Sequence, residues 1–256
     1  MPTNPRPRIA IPMPHSMDRE YAERAIPQYE RAIAQAGGEP VRIALNQTSD
    51  EIMKSAVLEI IESCDGVLLP GSKADVDPVK FGAQRSPHTA AADPRRDAVD
   101  ELLLQDAYSR RKPVLGICYG LQSLNVYRAG SLVQHIPDFL PEDLREKVNH
   151  EAGKKVAVAH TVGIESDSKL EEILGRGDKR MIPVNSSHHQ SADVIGNGLR
   201  IAARCPDDGI IEALEGTALD HFVLAVQWHP ERSIDLDEPS RAIFRALIKA
   251  AQTRLK

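Results

Sequence analysis

The chain has 256 residues, 41% of them apolar and 27% charged, which is ordinary for a folded globular protein and argues against disorder or a fibrous repeat. Lys and Arg number 32 against 37 Asp and Glu, a net charge of −5 with both signs interspersed, so no basic stripe points to nucleic acid as a partner. Three cysteines are too few for a disulfide scaffold, no apolar run approaches the roughly 18 residues of a membrane span, and the opening MPTNPRPRIAIPMP lacks a signal-peptide core, so a cytoplasmic protein without a membrane partner is expected.

Arg8 to Pro12 (RIAIP) reads as a short strand, and Tyr21, Ala25, Tyr29, Ala32, Ile33 and Ala36 then recur at helical spacing until Gly37 and Gly38 end the pattern. Val41 to Leu45 reads as a second strand, and Thr48 with Glu51 forms a capping-box pair before a helix through Ile52, Val57, Ile60 and Ile61. Gly66 to Pro70 (GVLLP) is a buried-strand run that ends in Pro70-Gly71-Ser72. Val99, Leu102, Leu103 and Ala107 place a helix ending near Arg111; Pro113 to Ile117 (PVLGI) follows as another buried strand, and Leu121 to Ala129 as a helix. Strands apolar on both faces that alternate with helices of about ten or more residues predict an α/β fold with a parallel sheet covered by helices.

Beyond Gly130 the runs shorten: VAVAHTV (156–162), LRIAARC (199–205), IIEAL (210–214) and FVLAVQW (222–228) read as strands. Pro239 opens a last helix with Ala242, Ile243, Ala246, Leu247 and Ala250 on one face. With no Gly/Ser-rich linker and no repeat, residues 1–256 are expected to form one domain whose second half adds strands to one edge of the sheet.

Gly116-Ile117-Cys118-Tyr119-Gly120 sits where a buried strand hands over to a helix. A small residue, a nucleophile and a glycine at such a junction form a nucleophile elbow, in which the glycines permit a sharp turn that lifts the central side chain out. The side chain here is a thiol at a helix N-terminus, where the dipole favours its thiolate and free N–H groups can stabilise an oxyanion. A buried structural cysteine is the plainer reading of the same residue. Gln227-Trp228-His229-Pro230-Glu231, at the end of the FVLAVQW run, offers a base: His229 and Glu231 share one side of an extended backbone, so the carboxylate can orient the imidazole.

Several segments in order carry a resemblance: AIAQAGGEPV (32 to 41), DGVLLPGSKADVDPVKFG (65 to 82), DPRRDAVDELLLQDA (93 to 107), KPVLGICYGLQSLNVYRAGSL (112 to 132), VNSSHHQ (184 to 190) and AVQWHPE (225 to 231). With them the chain resembles the class I glutamine amidotransferase-like superfamily, within it the γ-glutamyl-γ-aminobutyrate hydrolase branch. The resemblance implies a flavodoxin-like three-layer sandwich with a central mostly parallel sheet. It implies Cys118 as nucleophile, His229 as general base and acid, Glu231 as the residue orienting it, and backbone N–H groups of Tyr119 and near Gly71 as the oxyanion hole. It places Gln122, Asn185, Ser187, His188 and His189 along the pocket for the glutamyl α-groups. The reaction implied is hydrolysis of a γ-glutamyl amide of a small amine through a thioester, without cofactor, in a setting such as polyamine catabolism.

Two departures are visible: Tyr119 stands where many relatives have Arg, and the loop GSKADVDP has fewer glycines than theirs. Asp75 and Asp77 are expected to be solvated or capping. No metal is expected at His188-His189, because adjacent strand residues face opposite sides and no acid or Cys joins them at ligand spacing. A glutaminase subunit that passes ammonia to a separate synthetase, and a binding protein that has kept the fold, are the competing functions. A small γ-glutamyl substrate is the expected partner, and self-association as a homodimer is left open.

Overall fold

Apolar segments bounded by Gly and Pro alternate with amphipathic ones in the first half of the chain, and the backbone follows that alternation. In the computed structural model, which describes residues 6–45, 51–175 and 180–254, strands β1 (Arg8–Pro12), β2 (Glu39–Ile43), β3 (Gly66–Leu69) and β4 (Val114–Ile117) are separated by helices α1 (Arg19–Gln35), α2 (Glu51–Glu62) and α3 (Pro94–Arg110). Helix α4 (Tyr119–Tyr127) follows β4 after a single residue. The Asp18 and Asp93 carboxylates accept the N–H groups of Tyr21 and Arg96 and so start α1 and α3, while Arg111 closes α3 with φ of 53°. Thr48, the expected cap of α2, lies outside the described residues.

The second half holds β5 (Leu132–Val133), α5 (Ile136–Phe139), α6 (Glu142–Arg145), β6 (His160–Ile164), α7 (Lys169–Leu174), β7 (Met181–Val184), β8 (Ser191–Ala192), β9 (Leu199–Arg204), β10 (Ile211–Gly216), β11 (Val223–Val226), α8 (Pro230–Ser233) and α9 (Glu238–Arg254). The main sheet runs β2-β1-β3-β4-β11-β10-β9-β6-β7. Pairing is parallel from β2 through β11 and antiparallel from β11 to β7, so the second half does extend one edge, and its last strand becomes central. Strands β5 and β8 form a separate antiparallel pair.

Alternating side chains of the sheet supply two buried layers. On one face Ile9, Ile11, Leu115, Ile117, Leu224 and Val226 pack against Ile26 and Ile33 of α1 and Phe244 and Leu247 of α9. On the other, Val67, Leu69, Val114 and Ala225 pack against Val57, Leu103 and Leu121 of α2, α3 and α4. Helices on both faces of the sheet make the α/β three-layer, flavodoxin-like arrangement. No described helix is long and apolar enough to cross a membrane.

Two local expectations differ from the structure. The strand read at 156–162 begins only at His160; Val156 and Val158 are exposed, and the carbonyls of Val156 and Ala157 are taken up by the Asn185 side chain instead of a ladder. Strand β7 carries no strand signal in the sequence because Pro183 interrupts a short run, which an edge strand paired only with β6 tolerates.

Candidate active site

The turn between β4 and α4 sets the site. Cys118 has φ of 53° and ψ of −104°, a conformation disfavoured for any residue with a Cβ, and is held there because its N–H donates to Val226 O of β11 at 2.8 Å while its carbonyl accepts from Leu121 and Gln122. The flanking glycines are a packing requirement. A Cβ on Gly116 would lie 2.8 Å from the Gly120 carbonyl oxygen, and one on Gly120 would collide with the Leu69 carbonyl. Tyr119 is the first residue of α4, so its N–H is among those that have no acceptor within the helix.

Because β11 lies parallel beside β4, its C-terminal end delivers the next segment to the same edge of the sheet. The His229 N–H donates to Asn185 O at 2.9 Å, and His229 Nδ1 lies 2.7 Å from Glu231 Oε1, so the neutral ring carries its proton on Nδ1 and turns Nε2 away from the carboxylate. Both side chains are buried. Burial opposes charge on the imidazole, but the Glu231 carboxylate and the Cys118 sulfur offset it and raise the pKa of His229 to about 9. Burial likewise favours neutral Glu231, and the charge and hydrogen bond of His229 prevail and lower it. A histidine in cationic form beside a sulfur can hold a thiolate and later return a proton.

Gly71, just beyond β3, closes the other side: a Cβ there would stand 3.1 Å from His229 Cε1 and 3.6 Å from Cys118 Cβ. Its N–H already donates to an oxygen, the Tyr29 hydroxyl, at 3.1 Å. The stretch preceding Gly71 is tied down by Arg96, whose fully buried guanidinium donates to Pro70 O at 2.7 Å and Pro14 O at 3.2 Å and pairs with Asp100 at 2.7 Å. Arg96 lies within the DPRRDAV segment, but helical spacing alone gave no sign that its side chain turns inward.

Cys118 and His229 border a cavity of about 670 Å³, a size suited to a small molecule. Gln122, Ser187, His188 and His189 also line it. Gln122 Nε2 donates to Gln190 O and Gln227 Oε1 at 3.3 and 3.4 Å. Asn185 does not line the cavity; its amide donates to the carbonyls of Gly153, Val156 and Ala157, and its Oδ1 accepts from Arg232 at 3.1 Å. His189 reaches Asp75 at 3.1 Å. Asp75 is buried and also accepts the Ala90 N–H, whereas Asp77 caps a short turn at Val79. A larger groove of about 810 Å³ beside α9 is lined by neither Cys nor His, so Cys118 and His229 face only the smaller of the two.

The Peptidase C26 family model matches residues 9–231. The gamma-glutamyl-gamma-aminobutyrate hydrolase of Escherichia coli K12 is 32% identical over 250 residues, covering 96% of this chain and 94% of that protein. A glutamine amidotransferase-like protein of Rickettsia prowazekii is 33% identical over 262 residues, 88% of each. Among solved structures, the glutaminase domain of Trypanosoma brucei CTPS with bound acivicin superposes with a TM-score of 0.60 at 17% identity, covering 96% of this chain and 94% of that one, and shares the fold.

Proposed function

From the premise that this chain belongs to the Peptidase C26 family, we propose that it is a cysteine hydrolase cleaving γ-glutamyl amides of small amines. The observation that carries the reading is the convergence of a strained Cys118, on the border of one cavity, with a buried His229–Glu231 pair whose imidazole borders the same cavity. His229 takes the thiol proton and Cys118 Sγ bonds to the γ-carbonyl carbon; as the C–N bond breaks, His229 gives the proton to the leaving amine. Water, its proton passing to His229, then cleaves the thioester and releases glutamate. Glu231 keeps the imidazole in one tautomer and stabilises its charge. The N–H groups of Tyr119 and Gly71 receive the oxyanion; that Gly71 already binds the Tyr29 oxygen supports this role, with substrate oxygen replacing the hydroxyl.

The cavity lining favours a substrate carrying carboxylates. Arg24, Lys73, Lys154 and Arg232 stand around it against Asp75 and Glu151, a cationic surplus that suits the glutamyl α-carboxylate and an acidic amine such as γ-aminobutyrate. Gln122, Ser187 and His189 are the candidates for contacts with the α-groups, and Asn185 acts through the loop it braces. The relative named as a glutamine amidotransferase-like protein and the structural likeness to a glutaminase domain favour a second reading, ammonia supply to a synthetase. Assay of the isolated chain separates them: kcat/KM for γ-glutamyl-γ-aminobutyrate should exceed that for glutamine at least about tenfold without any partner. Activity on glutamine alone, rising when a synthetase is added, would overturn the hydrolase reading.

A further inference from the structure

Behind the 185–190 wall of the cavity, four side chains from separate segments converge: His150, His160 of β6, His188, and Glu212 of β10. All four are buried, Glu212 fully so, and one ligand atom of each lies within 4.8 Å of every other. Outer hydrogen bonds fix the three rings. His150 Nε2 meets Asp208 Oδ2 at 2.8 Å, His160 Nδ1 meets Thr161 O at 3.0 Å, and His188 Nδ1 meets Gln190 O at 2.8 Å. Carbonyls and carboxylates only accept, so each of these outer nitrogens carries the proton. In the neutral rings the lone pairs of His150 Nδ1, His160 Nε2 and His188 Nε2 therefore point inward.

There they meet another acceptor. The three nitrogens stand 3.1, 3.5 and 3.4 Å from Glu212 Oε1. The approach of His150 is close enough for an ion pair but lacks the alignment of a hydrogen bond; among the described residues none of the inner nitrogens and neither Glu212 oxygen has a hydrogen-bond partner. Three lone pairs and a carboxylate turned on one another in a dry interior are costly without a cation between them. Ligands about 2.0–2.1 Å from a tetrahedral metal lie about 3.4 Å apart, close to the three separations seen here.

We propose that His150 Nδ1, His160 Nε2, His188 Nε2 and Glu212 Oε1 form a closed, four-coordinate site for a divalent ion of the zinc type. Three imidazoles and a carboxylate are a donor set that zinc accepts, and Asp208 behind His150 is the outer carboxylate that commonly orients a ligating ring. With four protein donors the site has no position for substrate, so the ion is structural: it ties β6 and β10 to the two loops that form the back of the cavity. Local spacing could not show this, because His188 finds its co-ligands on distant segments while its neighbour His189 turns to Asp75.

The full chain, stripped with chelator, is titrated with zinc alone against a chromophoric competitor, and with Co(II), whose visible absorption reports four-coordinate geometry. One zinc per chain and tetrahedral Co(II) bands are expected; Glu212→Gln should abolish both, and Asp208→Asn should weaken zinc binding about ten- to a hundredfold with the far-UV circular dichroism unchanged. Should Glu212→Gln fail to fold, the wild-type stoichiometry and Asp208→Asn decide. A folded wild-type chain that binds no zinc, its cluster then held by a proton between His150 and Glu212, would overturn the proposal. So would zinc bound equally well by folded Glu212→Gln or Asp208→Asn.

Discussion

Cys118 occupies backbone space that glycine enters freely and other residues enter at a cost of about 1–3 kcal/mol. Nucleophilicity and strain therefore separate by mutation. Cys118→Ala and Cys118→Gly should both lose turnover by several orders of magnitude, but Cys118→Gly should be the more stable of the two by about 1 kcal/mol, read as a higher denaturation midpoint. Equal midpoints would mean that the turn stores no strain. His229 gives a second handle. Its pKa rises from an ordinary 6.5 to about 9 in the fold, where Glu231 and Cys118 offset burial, so between these values the native state binds a proton that the unfolded state has released. That stabilisation is complete below pH 6.5 and is lost as pH rises through 9, on the order of 1 kcal/mol per pH unit. Urea midpoints measured from pH 6 to 10 should fall across this window in the wild type and stay flatter in His229→Gln.

Helix α3 serves the site without contributing to the cavity lining. Its Arg96 supplies a planar fork to Pro70 O, Pro14 O and Asp100, and so fixes the loop that presents the Gly71 N–H. A lysine cannot span three such acceptors, so Arg96→Lys should destabilise the protein by about 2–4 kcal/mol and lower kcat more than it raises KM. An unchanged kcat in a folded variant would show that Arg96 braces the core and not the site. At this scale the sequence was readable where a signal is local: GICYG names its own turn, and the apolar runs of β1, β3, β4 and β11 leave little choice of structure. It was unreadable where meaning depends on distant partners. The alternation in VAVAHTV resembles a half-buried strand, yet its first carbonyls go to Asn185; Arg96 looks like one more surface charge of a helix until the loops it bridges are in place.

In the whole molecule Cys118 and His229, the proposed nucleophile and base, follow adjacent parallel strands, β4 and β11, that are far apart in the chain, and four antiparallel strands of the main sheet, together with the β5–β8 pair, lie between them in sequence but not in space. The elbow GICYG and the segment QWHPE singled out the two residues separately, and the resemblance paired them; it is the insertion of the last strand at the centre of the sheet that brings them together. During synthesis, which proceeds from the N-terminus, this order has a consequence for how long the chain is vulnerable. Until β11 emerges, Val114–Ile117 of β4, all buried in the finished fold, form an unpaired apolar edge, and β10 forms another. Two such edges are templates for pairing with other chains, so the nascent protein carries a risk of aggregation on the very strand that leads directly to Cys118.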